Sequence, residues 1–123
     1  MPSYQYLSQA RLLPDTMTVS SDGTLQLAGH TLTEMAEQYG TPLYIYDRLT
    51  IINACVNYWR AFREYYRVSP VRIIYASKAY LLPLLAQLLT EQGLGLDVFS
   101  GGELLVAQRA RVPMEHVSFH GNN

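Results

Sequence analysis

Val71-Arg72-Ile73-Ile74-Tyr75-Ala76-Ser77-Lys78-Ala79 decides how the rest of the chain reads. The run is apolar and β-branched, follows Ser69-Pro70, and gives way to a leucine-rich segment over residues 81–89. A turn signal on one side and a helical period on the other predict a buried strand that feeds a helix. The stretch carries Lys78, the only lysine among 123 residues; the other eight basic residues are arginines. In α/β folds the exits of parallel strands carry the chemistry. A lysine held there can act as a nucleophile towards carbonyls and form a Schiff base. Position alone favours the plainer reading, a side chain that snorkels off a strand end into water.

Downstream, one unit repeats three times. A strand over 72–76 precedes a helix near 80–92, where Leu81, Leu82, Leu84, Leu85, Leu88 and Leu89 supply the apolar face, Pro83 falls in the first turn and Gly93 ends it. A second strand, 96–99, leads through Ser100-Gly101-Gly102-Glu103 into a helix reaching about Arg111, with Pro113 as the breaker. A third strand, 116–120, runs into Gly121-Asn122-Asn123. Strand–helix–strand units of about twenty residues predict parallel strands with helical crossovers. Three strands leave open edges, and a closed (β/α)8 barrel takes about 250 residues. The expectation is therefore an α/β chain forming the first, incomplete part of such a barrel, within a longer protein.

Upstream the pattern changes. Residues 1–16 have no clear period and read as an irregular arm. Asp22-Gly23 between runs 17–21 and 24–27 predicts a β-hairpin that needs a larger sheet to join. Thr31-Leu32-Thr33-Glu34 has capping-box spacing and opens a helix with Leu32, Met35, Ala36 and Tyr39 on one face, closed by Gly40. After Thr41-Pro42, residues 43–46 read as a strand, with Asp47 placed to cap the helix that follows. That helix, 48–67, repeats Ile51, Ile52, Cys55, Val56, Trp59 and Phe62 at helical spacing, and Trp59 reads as core packing. The expected division is 1–47 as an arm plus strands of an auxiliary β domain, and 48–123 as the start of the barrel.

Composition narrows the function classes. The chain is 49% hydrophobic and 15% charged with a net charge of −1, which is globular and offers no basic patch for nucleic acid or anionic membrane. One cysteine, Cys55, excludes a disulfide framework within the chain. The N-terminus lacks the basic segment and apolar core of a signal peptide, and no apolar run spans a membrane, so a cytoplasmic protein is expected. Histidines and acids lack metal-ligand spacing, and Ser-Gly-Gly-Glu is too short for a nucleotide fingerprint.

Around the exits of the three strands stand Ser77, Lys78 and Ala79; Ser100, Gly101, Gly102 and Glu103; and His120, Gly121, Asn122 and Asn123. Taken in order and spacing, Tyr75-Ala76-Ser77-Lys78-Ala79, Gly95-Leu96-Asp97-Val98-Phe99-Ser100-Gly101-Gly102-Glu103-Leu104 and Phe119-His120-Gly121-Asn122-Asn123 resemble the start of the diaminopimelate decarboxylase family. That family belongs to the alanine-racemase-like (fold III) group of pyridoxal 5′-phosphate enzymes. Residues 39–47 resemble its opening segment, and the resemblance runs from about residue 17 to the last.

The resemblance implies that Lys78 carries the cofactor and serves catalysis, and it places Asp97, Ser100 and His120 at the cofactor. Each of the last three also has a plainer reading: Asp97 as a cap of the next helix, Ser100 as part of a tight connection, His120 as a strand-end histidine. Glu103, in the first turn of a helix, reads as an acid placed for the helix dipole. Tyr80 departs from an asparagine common after the Lys-Ala pair, and Ser77 from a valine. The implied reaction is α-decarboxylation of meso-diaminopimelate to L-lysine by a homodimer, with the phosphate-binding and most substrate-binding residues on later strands and this chain inactive alone. Alternatives are an ornithine or arginine decarboxylase, an amino-acid racemase, a non-catalytic pyridoxal-phosphate-binding protein or a gene remnant.

Overall fold

A computed structural model describes residues 12–121. The expected arm before residue 12, and Asn122 and Asn123, lie outside the described residues. The chain divides into two compact units at Ile51/Ile52.

In the first unit β1 (Met17–Val19) and β2 (Leu25–Leu27) pair antiparallel, Met17 opposite Leu27 and Val19 opposite Leu25. The Asp-Gly turn forms as expected. Gly23 takes φ +88°, and the Asp22 carboxylate accepts from Ser20 Oγ at 2.5 Å and from the Thr24 N–H at 3.1 Å. Those bonds, the Ser20 hydroxyl foremost, hold the Asp22 carboxyl below the usual range. A two-residue strand, β3 (His30–Thr31), adds to β2; it is too short to leave a period in the sequence.

Thr31 caps α1 (Leu32–Tyr39) through the full box: Thr31 Oγ1 accepts from Glu34 N–H at 3.1 Å and Glu34 Oε2 from Thr31 N–H at 3.0 Å. Residues 43–46, expected as a strand, pair with no other strand among the described residues and are all exposed. Apolar β-formers express a strand only where a neighbour supplies the ladder. Asp47 then accepts from the N–H groups of Leu49 (3.2 Å) and Thr50 (3.3 Å), capping α2 (Arg48–Tyr65).

The second unit is built on a parallel sheet in the order β4 (Ile74–Ala76), β5 (Gly95–Val98), β6 (Val117–Phe119). β4 and β6 are shorter than the sequence patterns suggested, and β5 keeps the expected length one residue earlier. Residues 77–79 and 114–116, expected at strand ends or in loops, are single 3-10 turns, and α3 runs Pro83–Glu91 rather than 80–92. The N-cap of α3 is Leu82, so Pro83 sits in the first turn, where its missing N–H costs nothing. Leu96 and Val98, fully buried, point from one face of β5 and form the core with Ala86, Leu88 and Leu89 of α3 and Ala107 of α4 (Gly101–Arg109).

Register places Ala76, Asp97 and Ser118 in line on the other face. Gly95 lets the three strands approach: a Cβ there would lie 2.8 Å from the His116 carbonyl oxygen. Trp59, expected in the core, is instead half-buried, its ring beside Gly93 and its indole N–H donating to the Gln92 carbonyl at 2.9 Å. Cys55 is buried, and burial pushes its thiol up.

Candidate active site

Parallel strands deliver their exits to one edge, and the candidate side chains stand there. Lys78 sits on the turn Ser77–Ala79 that directly follows β4. Its side chain is exposed, and Nζ lies 5.0 Å from the ring centroid of Phe99, the residue after β5. That contact is within cation–π range. The Phe99 ring is tilted 51° to that of His120, with centroids 5.9 Å apart. His120 follows β6 and continues its ladder, its N–H donating to the Val98 carbonyl at 2.8 Å.

His120 also reaches Asp97: Nδ1 lies 2.9 Å from Oδ2, in hydrogen-bond geometry, and 2.8 Å from Oδ1. Asp97 is 18% exposed and His120 69% exposed, so the carboxylate forms the floor of the pair and the imidazole its outer edge. Asp97 therefore caps no helix; that work falls to Ser100, whose Oγ accepts from the Glu103 N–H at 3.2 Å. The Ser100 hydroxyl proton remains free to donate elsewhere. Two buried oxygens have no hydrogen-bond partner among the described residues, Ser77 Oγ and Asp97 Oδ1.

Two contributors, Phe99 and Tyr75, were not singled out by the sequence, and a third, Glu103, was read there only for the helix dipole. Glu103 Oε2 accepts from the Phe99 N–H at 2.5 Å, so its carboxylate fixes the residue whose ring faces Lys78. Ser100 and Glu103 have Ser-x-x-Glu spacing, the signal that could have found this. Phe99 itself left no signal, since an aromatic residue at the end of a strand is ordinary. Tyr75, on β4, donates its hydroxyl to the Tyr80 carbonyl at 2.8 Å. No group of three or more metal-ligating side chains occurs among the described residues.

Residues 51–123 match the family described as "Pyridoxal-dependent decarboxylase, pyridoxal binding domain". The chain belongs to this family. Among curated relatives it is 43% identical over 108 residues to diaminopimelate decarboxylase of Halalkalibacterium halodurans, covering 88% of this chain and 24% of that protein. It is 40% identical over 111 residues to diaminopimelate decarboxylase of Bacillus subtilis, covering 90% and 25%. A crystal structure of diaminopimelate decarboxylase from M. jannaschii superposes with TM-score 0.77 at 36% identity, covering 89% of this chain and 25% of that one. The structure of that enzyme in complex with L-lysine gives 0.76. The chain thus spans about a quarter of the length of the relatives it matches. The α/β sheet is that of the pyridoxal-phosphate-binding barrel.

A pyridoxal-binding family implies pyridoxal 5′-phosphate. The residues present fit it. The cofactor's aldehyde needs an accessible amine, and Lys78 is exposed at the rim and makes no ion pair among the described residues. Its ring carries polar substituents, and the Asp97 carboxylate and the His120 imidazole stand as a polar pair at the same rim.

Proposed function

We propose that the whole protein is a pyridoxal-phosphate-dependent decarboxylase that converts meso-diaminopimelate to L-lysine and carbon dioxide. The observation that carries this reading is the position of Lys78, at the exit of a parallel strand beside Phe99 and the Asp97–His120 pair. The curated relatives at 40–43% identity support the choice of substrate. In this reading Lys78 would hold the cofactor through its amine. The Asp97 carboxylate, with both oxygens against Nδ1, fixes the His120 imidazole in one orientation at the cofactor's rim. The Ser100 hydroxyl lines the same rim while capping α4. When bound, the pyridoxal ring supplies an electron sink for the charge left on carbon as a carboxylate departs.

Residues 1–47 belong, in this proposal, to an auxiliary β domain and 48–123 begin the barrel; the protein is a cytoplasmic homodimer. No helix among the described residues is long and apolar enough to cross a membrane.

The test is product analysis with the full-length protein supplied with pyridoxal 5′-phosphate and meso-diaminopimelate, beside ornithine, arginine and alanine. L-Lysine formation, abolished in Lys78→Ala, supports the reading. Turnover of ornithine, arginine or alanine instead of diaminopimelate transfers the protein to another activity of the same fold group. Cofactor attachment without turnover of any of them makes it a binding protein.

A further inference from the structure

The turn that presents Lys78 has no capping side chain at its start. Ser77–Ala79 is a single 3-10 turn whose N-cap, Ala76, makes no side-chain hydrogen bond. The Ser77 hydroxyl, though buried, has no hydrogen-bond partner among the described residues. At Tyr80 the backbone returns to an extended conformation (φ −180°, ψ 134°), and α3 does not begin until Pro83. The turn is therefore not stiffened by running on into a helix. Across its two ends lies one bond from the preceding strand: the Tyr75 hydroxyl donates to the Tyr80 main-chain carbonyl at 2.8 Å. That bond brackets Ala76, Ser77, Lys78 and Ala79.

We propose that Tyr75 is a positioning residue for Lys78, acting through this bond. The inference rests on the reading of Lys78 as the cofactor's point of attachment. Tyr75 pairs with Leu96 in the sheet register, so its side chain leaves the face opposite to that of Ala76 and Asp97. It does not line the mouth; it ties the turn from behind. A lysine has four flexible side-chain torsions, so the position of its amine is only as well defined as the backbone it springs from. The acceptor is a main-chain carbonyl, which every residue type at position 80 supplies. The tyrosine found there in place of the family's asparagine thus leaves the tie intact.

The experiment compares wild type and Tyr75→Phe in the full-length protein. The substitution keeps the ring and removes the hydroxyl; the Tyr80 residue is only part-buried, so water can reach the carbonyl and the fold is expected to survive. Two quantities are read. The first is the rate at which added pyridoxal 5′-phosphate becomes fixed to Lys78 by borohydride reduction, mapped by mass spectrometry. The second, independent of the cofactor, is amide hydrogen exchange across residues 77–80. Tyr75→Phe is expected to slow fixation about two- to ten-fold, the range for one hydrogen bond of ordinary net strength, and to speed exchange in the turn with the unfolding midpoint little changed. Fixation at the wild-type rate, or unchanged exchange, overturns the inference while leaving the proposed function standing. A wild-type protein that fixes no cofactor on Lys78 overturns both.

Discussion

Glu103 allows two accounts to be separated by magnitude. As an acid in the first turn of α4 it interacts with the helix dipole, worth about 0.3–1 kcal/mol at an exposed site. As the acceptor of the Phe99 N–H at 2.5 Å it makes a charge-assisted hydrogen bond, worth about 1.5–3 kcal/mol. Its own N–H returns to Ser100 Oγ, so the carboxylate and the cap support each other. The second effect is the larger, and it predicts a ranking. Glu103→Ala loses both contributions and should destabilise by about 2–3 kcal/mol. Glu103→Gln keeps an acceptor oxygen of the same reach and should lose about 1 kcal/mol. Urea unfolding of the full-length protein, taking the transition that includes this sheet, reads both values. Because Phe99 faces the Lys78 amine, Glu103→Ala should also slow cofactor fixation on Lys78 more than Glu103→Gln does. If Gln and Ala are equally destabilising, and by less than about 1 kcal/mol, the dipole alone accounts for Glu103 and the reasoning here is wrong.

Other consequences are as direct. Gly95→Ala would push a methyl to 2.8 Å from the His116 carbonyl oxygen at the centre of the parallel sheet, and is expected to cost about 1–3 kcal/mol in the same unfolding assay. Trp59→Phe keeps most of the ring packing but loses the bond to the Gln92 carbonyl, an expected loss of about 1 kcal/mol. Burial alone would raise the Asp47 carboxyl, but bonds from Thr50 and Thr16 and from the N–H groups of Leu49 and Thr50 outweigh it and hold it below the usual range. Its contribution to stability is therefore complete above the unfolded carboxylate value and is lost as pH falls through the lower folded one. An unfolding series against pH should show Asp47→Asn less stable than wild type near neutrality, with the gap closing in acid.

Much of this was legible in the sequence, for reasons that differ by element. The Thr31–Glu34 box, the Asp22-Gly23 turn and the Asp47 cap depend on residues a few positions apart, and local chemistry decides them. The three parallel strands and the two helices that link them were legible because apolar period and turn residues agree there. Residues 43–46 failed for the converse reason: strand propensity is present, but pairing is not a local property. At the rim, Lys78 stood out by being the sole lysine. Its neighbours were harder to read. The contacts among Asp97, His120 and Phe99 arise from register between strands some twenty residues apart, which no spacing within one strand reports. Tyr75 reads in the sequence as an ordinary strand residue, because its bond to Tyr80 depends on the path of the turn between them.

The most direct single measurement is the site of attachment itself. The full-length protein, incubated with pyridoxal 5′-phosphate and reduced with borohydride, is digested and its peptides are weighed. The cofactor's mass is expected on Lys78 and to disappear with Lys78→Ala. A cofactor fixed on a different lysine of the wild-type protein, with Lys78 unmodified, would contradict the assignment of this rim as the catalytic centre.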